Sequence, residues 1–529
     1  MNIHIVLASY LFLYTWGVFN PCQLNVSASL GWGSNESFYI TLFSAFVPVG
    51  ALVGTTFTGY LIDRFGRRTT LLYNDIAYVI GTIILVMPST ATFGIGRLIT
   101  GCSAGIFMTI GPIYVTEVTP EPMMGKVGPI IVIANNLGLL TAYGLGLALP
   151  TGNFENNPFN YWWLILFLFP AGVCIYQFCY FKFFCIYDTP QYYMARGMNR
   201  EASLALGLAY TSEGMQGGLR RLNSELLGKF GTGDKPTIWT LFSAPRFRKM
   251  MRMGAMLCIL NQLSGMAAII FYSTSIFNQL GGGIFLSRLL TFIMGVVNLF
   301  SSFCSILLLG WFGRKTLMVS GQFLICADLV LLGIFSGYVD GGVATPAVFL
   351  ILFFLFFTYS LAATLWMYVG EILNDQVLSV CCIMNMITTV IIIFVFPVAV
   401  DTVGINNSFL FFAVMMFFGA IYSWFDLLET KGLDKEQILV GMKAIEKSQI
   451  RPEGAENDSL QEEESEKEEA NENNKNEDFN GKLDLTTTNK HDGDVVPNEG
   501  LDVTTHKPEA DSFINEDQVD NKEQARLNS

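Results

Sequence analysis

Apolar stretches of about 20 residues recur through the first 430 positions of this 529-residue chain. A helix of that length rises about 30 Å, which matches the hydrocarbon core of a bilayer. Only 14% of the residues are charged, against about 25% in soluble domains. The chain is therefore predicted to be an all-α membrane protein with about twelve transmembrane helices. The apolar windows lie at 2–21, 38–60, 70–88, 92–115, 126–149, 161–186, 250–279, 285–309, 316–337, 345–370, 377–400 and 408–428.

The windows form two sets of six, separated by a polar stretch of about sixty residues. The tail holds 23 of the 44 acidic residues but only 8 of the 31 basic ones, so the acidity of the chain belongs to it. A segment this charged and this poor in apolar residues is expected to be disordered, and it could recruit cytoplasmic partners. The predicted regions are an N-terminal six-helix bundle (1–186), a cytoplasmic central loop (187–249), a C-terminal six-helix bundle (250–428), a short cytoplasmic helix (429–450) and the disordered acidic tail (451–529).

Basic residues follow the even-numbered helices and are nearly missing after the odd-numbered ones. By the positive-inside rule, both termini and the central loop are predicted to be cytoplasmic, in what we expect to be the plasma membrane. The basic residues are Arg64, Arg67, Arg68, Lys126, Arg196, Arg200, Arg220, Arg221, Lys249, Arg314 and Lys315. Three Asn-X-Ser/Thr sequons, at Asn25, Asn35 and Asn406, fall in loops predicted to be outside and are candidate glycosylation sites.

Several functional classes have no support in the sequence. The ten cysteines include no C-x-x-C pair, so neither zinc nor redox chemistry is indicated, and no cofactor is expected. No basic stripe lies outside the loops that flank the membrane, which argues against a nucleic-acid partner. No nucleophile–base pair, metal cluster or phosphate-binding loop stands out, so an enzyme is not predicted.

The two halves repeat each other at offsets of roughly 240–255 residues. "GYLIDRFGRRTTL" recurs as "LGWFGRKTLM", "YVTEVTP" as "YVGEIL", and "YDTPQYY" as "DLLETKG". Together with "NQLSGMAAIIFYSTSIF" and "GVVN", these strings resemble the major facilitator superfamily, and within it the sugar porter family, over about residues 10–435. The resemblance implies two pseudo-symmetric six-helix bundles and a carrier that moves a hexose or related polyol by alternating access.

The charged motifs resemble the inner gate of that family. By resemblance, Asp63 would contact the start of helix 11 near Gln376, and pairs of opposite charge would form when the cytoplasmic side is shut. An alternative is that these charges only set the orientation of the loop in the membrane. Arginine residues alone would do that, so the accompanying acidic residues favour a gate. Gly310 and Trp311 replace an acidic residue and an arginine of the family pattern, so the second copy is expected to close less tightly and the carrier to rest inward-open. The predicted gate residues are Asp63, Arg64, Arg67, Arg68, Glu117, Arg314, Lys315 and Glu371.

A sugar carries many hydroxyls and no charge, so its site needs neutral amides and an aromatic face. By resemblance, such residues are Gln262, Asn261, Asn298 and Trp366, with Tyr272 in the outer gate. A single amide in a membrane helix could instead make an interhelical hydrogen bond.

Other polar positions of the family are replaced here. Val132 and Thr389 stand where the family places polar residues that face the sugar. Asn136 and Asn385 lie one helical turn from these two and are candidate substitutes. The replacements favour a sugar-like polyol over glucose itself.

Helix 1 bears on whether transport is coupled to protons. By resemblance, proton-driven members of the family carry an aspartate at a position where this chain has Thr15. We therefore expect facilitated diffusion. Asp328, an intramembrane carboxylate in helix 9, keeps open a proton-coupled carrier of another small solute. A non-transporting sugar sensor that uses the long tail is a further alternative.

Overall fold

The computed structural model describes residues 2–119, 121–152, 158–207, 245–337, 343–373, 375–433 and 437. These residues are α-helical with short connections, which confirms the all-α prediction. The helices of the first half are α1 (Asn2–Gly17), α2 (Gln23–Leu30), α3 (Glu36–Phe65), α4 (Arg67–Leu85), α5 (Thr90–Val118), α6 (Glu121–Gly146), α7 (Trp162–Phe183), α8 (Pro190–Ala195) and α9 (Asn199–Gly207). Those of the second half are α10 (Pro245–Leu263), α11 (Met266–Gln279), α12 (Gly283–Trp311), α13 (Arg314–Gly337), α14 (Ala344–Phe357), α15 (Ala363–Ile372), α16 (Asp375–Val403) and α17 (Ile405–Asp426).

Eleven spans within the described residues are long and apolar enough to cross a membrane. The twelfth predicted helix forms as α4 but is less apolar, because Asn74 and Asp75 interrupt it. Both side chains are buried, and the Asn74 amide donates to the carbonyl of Ser103 on α5 at 3.0 Å. The polar face of α4 is thus turned towards protein.

Small residues allow α3 and α5 to pack backbone against backbone. A Cβ atom at Gly54 would lie 2.0 Å from the carbonyl oxygen of Cys102, and one at Gly101 would lie 2.5 Å from that of Val47. Close approach through glycine is a common way for helices to associate in lipid.

Two apolar cores hold the described helices together. One consists of residues of the first half, and the aromatic rings of Phe43, Phe93 and Phe167 lie inside it. The other is formed mainly by the second half but includes Trp16 and Leu139 of the first. The two halves therefore share part of one core.

Three long helices are interrupted. A 3₁₀ turn at Asn20–Cys22 separates α1 from α2. Ser264 and Gly265 separate α10 from α11, and Gly265 adopts a φ of +87° beside the ring of Phe412. A π-helical turn at Thr358–Ala362 joins α14 to α15. Discontinuous helices of this kind mark binding sites in transporters, and π-helical turns are frequent at functional sites.

The domain boundaries remain predictions. Most of the central loop, most of the predicted short helix and the whole acidic tail lie outside the described residues.

Candidate substrate site and gates

A buried polar network links the two halves near the middle of the helices. The Asn298 amide on α12 donates to the Asn136 side-chain oxygen on α6 at 3.0 Å. Thr358 donates its hydroxyl to the Asn298 side-chain oxygen, and the Asn136 amide donates to the Ser302 hydroxyl. All four residues are buried. We call Asn136, Asn298, Ser302 and Thr358 the amide seam.

A second pair of amides lies in the second half. Gln262 on α10, just before the helix break, donates to the Asn385 side-chain oxygen on α16 at 3.0 Å. Asn261 beside it has a buried side-chain oxygen with no hydrogen-bond partner among the described residues, and so has Asn135 next to the seam. These two oxygens could accept hydrogen bonds from a ligand.

The remaining predicted pathway residues are aromatic. Trp366 is partly buried on α15 and packs on the core of the second half. Tyr272 on α11 donates its hydroxyl to the carbonyl of Ile393 on α16 at 3.1 Å, and its ring stacks on Phe396. The structure thus brings Asn298 together with Asn136, and Gln262 with Asn385. The contacts described for Trp366 and Tyr272 are with other residues.

The ends of the helices carry the predicted gates. We call the end that contains Arg67 and Arg314 the inner end, and the end that contains Pro21 and Leu149 the outer end, following the predicted orientation. At the inner end of the first half, Arg67 and Glu117 form an ion pair with an N–O distance of 2.6 Å. Arg68 instead donates to the carbonyl of Phe181 at 2.7 Å.

Asp188 caps the helix that begins at Arg67. Its two carboxylate oxygens accept the backbone N–H groups of Arg67 and Arg68, each at 3.1 Å. Burial raises the pKa of the Asp188 carboxyl, and the N–H groups that it accepts offset part of that rise. A carboxylate at this position satisfies two otherwise unpaired N–H groups and favours the positive end of the helix dipole.

The second half repeats this arrangement. Glu429 accepts the N–H groups of Arg314 at 2.7 Å and Lys315 at 3.1 Å. The Arg314 side chain pairs with Glu371 at 3.0 Å, as Arg67 pairs with Glu117 in the first half. The three inner-end ion pairs seen among the described residues, of which Arg252–Asp426 is the third, each lie within one half.

Cations cap the preceding helices in both halves. Lys431 donates to the carbonyls of Gly310 and Trp311 at 2.9 and 3.0 Å, at the end of α12. Arg196 donates to the carbonyl of Arg64 at 2.6 Å, at the end of α3. A positive charge at a helix C-terminus is favourable for the same electrostatic reason.

The glycines before α4 and α13 make room for these capping carboxylates. A Cβ atom at Gly66 would lie 2.2 Å from an Asp188 carboxylate oxygen, and one at Gly313 would lie 2.0 Å from Glu429. Gly66 also has a φ of +88°, which other residues rarely adopt. The glycine of each G-R-(R/K) motif is thus explained by a carboxylate more than 100 residues away.

The capping residues Asp188, Glu429, Lys431 and Arg196 were not among the predicted gate residues. The two carboxylates had a signal in the third repeated pair, "YDTPQYY" and "DLLETKG", where Asp188 and Glu429 each precede a threonine. Lys431 lies in the second string, and Arg196 lies three residues after the first. The predicted partner of Asp63, the helix start near Gln376, lies where side chains are outside the described part of the chain, so that contact stays a prediction.

The three sequons differ in exposure. Asn25 is fully buried and donates to the Asn160 side-chain oxygen at 2.9 Å. Asn35 is exposed in the turn before α3, and Asn406 is partly exposed at the start of α17. A glycan on Asn25 would have to break the buried contacts of that side chain.

Comparison with known proteins identifies the family of this chain. The family model described as "Sugar (and other) transporter" matches residues 1–440. The chain belongs to this family. The glucose transporter GlcP of Staphylococcus epidermidis is 26% identical over 399 residues, covering 74% of this chain and 85% of GlcP. The major myo-inositol transporter IolT of Bacillus subtilis is 25% identical over 469 residues, covering 85% and 94%.

The xylose transporter XylE of E. coli, in a partially occluded inward-open conformation, matches with a TM-score of 0.70 at 18% identity. The match covers 82% of this chain and 98% of XylE. It shows that the chain has the fold of the major facilitator superfamily, as the motifs predicted. Family and fold are those of sugar transporters and not of enzymes.

Proposed function

We propose that the chain carries a neutral hexose or polyol across the plasma membrane by alternating access, with both termini in the cytoplasm. The observation that carries the proposal is the amide seam, which joins the two halves through neutral donors and acceptors in the middle of the helices. The named relatives transport glucose and myo-inositol, two solutes of this chemical class.

The seam suits a solute with many hydroxyls. Each hydroxyl both donates and accepts, as do the amides of Asn136, Asn298 and Gln262, so the solute can replace the protein–protein hydrogen bonds one for one. The buried oxygens of Asn135 and Asn261 can accept further hydroxyls. An apolar solute of the same size would leave the amides unpaired, at about 1–3 kcal/mol for each buried group.

Contacts at the two ends support alternating access. At the outer end the halves touch directly: Asn20 donates to the carbonyl of Ile270 at 2.8 Å, and Gln23 to that of Phe271 at 2.8 Å. At the inner end the three described ion pairs each stay within one half. We infer an arrangement that is closed at the outer end, in which the described ion pairs and caps of the inner end stabilise each half separately.

Facilitated diffusion is a simpler mechanism for this chain than proton-coupled transport. Thr15 donates to the carbonyl of Leu11 and contacts the hydroxyl of Tyr78 at 2.8 Å, so a neutral pair occupies the place of the aspartate of proton-driven relatives. One observation favours proton coupling as a second candidate: both carboxylate oxygens of Asp75 are buried without a hydrogen-bond partner among the described residues. A carboxylate inside a membrane segment is a functional candidate by default.

Flux of radiolabelled sugars into proteoliposomes tests the proposal, with a competition panel of hexoses, pentoses and inositols to identify the substrate. Uptake that equilibrates and does not respond to a protonophore would support facilitated diffusion. Accumulation that collapses with the protonophore would favour the proton-coupled candidate. Binding without flux would overturn the carrier and favour a sensor, whose partners the acidic tail would recruit.

A further inference from the structure

Arg288 is a buried cation at the outer end. It lies in the second turn of α12, and only 1% of its surface is exposed. We propose that Arg288 is the latch that holds the outer end shut, and thus a positioning residue of the transport cycle. The inference rests on the proposed alternating access.

The guanidinium reaches from the second half onto two segments of the first, residues 21–25 and 149–150. Its Nε donates to the carbonyl of Pro21 at 2.9 Å, and Nη1 donates to the carbonyls of Leu149 and Pro150 at 3.0 and 3.1 Å. Its Nη2 donates to the side-chain oxygen of Asn25. The planar guanidinium of arginine holds its N–H donors in fixed directions, so it can bind several acceptors at once. The compact ammonium group of lysine cannot match this set of acceptors.

The charge is balanced by neutral oxygens alone, because every described contact of Arg288 is to a carbonyl or an amide. A buried charge is stable only while its hydrogen bonds are complete. When the halves separate at the outer end, Pro21, Asn25 and the Leu149–Pro150 segment all move away from α12 together. The guanidinium must then exchange all four hydrogen bonds for water in one step, so Arg288 favours either a fully closed or a fully open outer end.

The first-half side of the latch is itself anchored. Asn25, which accepts from Arg288, donates to Asn160, and the Asn160 amide donates to the hydroxyl of Ser29 at 2.8 Å. The indole of Trp163 donates to the same hydroxyl at 3.0 Å. This chain of hydrogen bonds ties the Arg288 acceptor to α2 and α7 and explains why the Asn25 side chain is buried despite its sequon.

The test measures how often the outer end opens, without requiring transport. Ser273 is buried between the halves and its hydroxyl accepts from the Asn20 amide, so Ser273→Cys reports opening through its reaction with a membrane-impermeant thiol reagent added outside. Arg288→Ala in this background should raise the labelling rate at least about tenfold, because even one hydrogen bond to a charged group is worth about that factor. Arg288→Lys should give an intermediate rate.

Two controls make the result specific. Arg252→Ala removes an arginine whose ion pair with Asp426 lies within one half, and it should leave labelling unchanged. Asn278→Cys is already exposed and should label equally in all variants. If Arg288→Ala fails to fold, Asn25→Ala removes one latch partner and should raise labelling severalfold.

Labelling that is unchanged in folded Arg288→Ala, or raised equally by Arg252→Ala, would overturn the latch. Sugar flux is measured in parallel on the unmodified chain. Missing flux would refute the proposed function and leave the labelling result to decide on the latch.

Discussion

Replacing Asn298 with alanine removes the amide at the centre of the seam. This amide donates to Asn136 at 3.0 Å and accepts from Thr358. If the sugar binds where these bonds lie, the same donor and acceptor are available to its hydroxyls. The variant should therefore bind sugar more weakly.

The size of the effect follows from the bonds lost. Asn298 offers a sugar one donor and one acceptor, each worth about 0.5–1.5 kcal/mol as a neutral hydrogen bond. Their sum, about 1–3 kcal/mol, corresponds to a Kd about 5- to 150-fold higher. The fold should survive, since Asn136 still reaches Ser302.

The assay is equilibrium binding of the radiolabelled sugar chosen by the competition panel, with thermal unfolding measured in parallel. Ser301→Ala is the matched control: Ser301 is buried on the same helix, but its hydroxyl donates to the carbonyl of Leu355 within the second half, at 2.9 Å. Its Kd should stay within about twofold of the unmodified value, even if its Tm falls.

Two results would refute the reasoning. An Asn298→Ala variant with an unchanged Kd would mean that the seam is structural and that the sugar binds elsewhere. An equal loss of affinity in Ser301→Ala would mean that any polar deletion in α12 disturbs the site indirectly.

Three further outcomes are expected. Gly313→Ala should lower the free energy of unfolding by about 1.5–3 kcal/mol, because its Cβ would displace Glu429 from two backbone N–H groups. Gly310→Ala has open space around it and lies within a helix, so it should not lower the Tm. Asn35→Gln should remove an enzymatically cleavable glycan visible as a gel shift, whereas Asn25→Gln should leave the glycan pattern unchanged; a glycan on Asn25 would contradict the buried contacts. Sugar uptake by cells should reach the external concentration and go no further, and a protonophore should not alter it.

Much of the fold could be read from the sequence because hydrophobic length and loop charge act locally. Each apolar window predicts its own helix, and the repeated motifs predict two similar halves. Helix α4 shows the limit of that reasoning: Asn74 and Asp75 make it less apolar, and only packing against α5 shows where its polar face goes.

The site was harder to predict because its contacts join distant positions. That Asn136 and Asn385 lie one turn from replaced polar residues was readable from the sequence; that they bond to Asn298 and Gln262 depends on how the helices cross. Arg288 stands out in the sequence as an arginine within an apolar segment. Its role depends on carbonyls of Pro21 and Leu149, and any residue type supplies a carbonyl, so sequence alone could not have named its partners.

The hydrogen bonds within the amide seam affect the return step of the transport cycle, in which the carrier reorients without sugar. In facilitated diffusion the carrier must reorient without sugar after each release. A buried polar group without a hydrogen-bond partner would slow that step. Asn136, Asn298 and Thr358 are hydrogen-bonded to one another. The seam residues therefore need no sugar to complete these hydrogen bonds as the protein reorients, whereas the buried oxygens of Asn135 and Asn261 have no partner among the described residues. Because those two oxygens are unpaired without sugar, the exchange of sugar for sugar should run faster than net uptake.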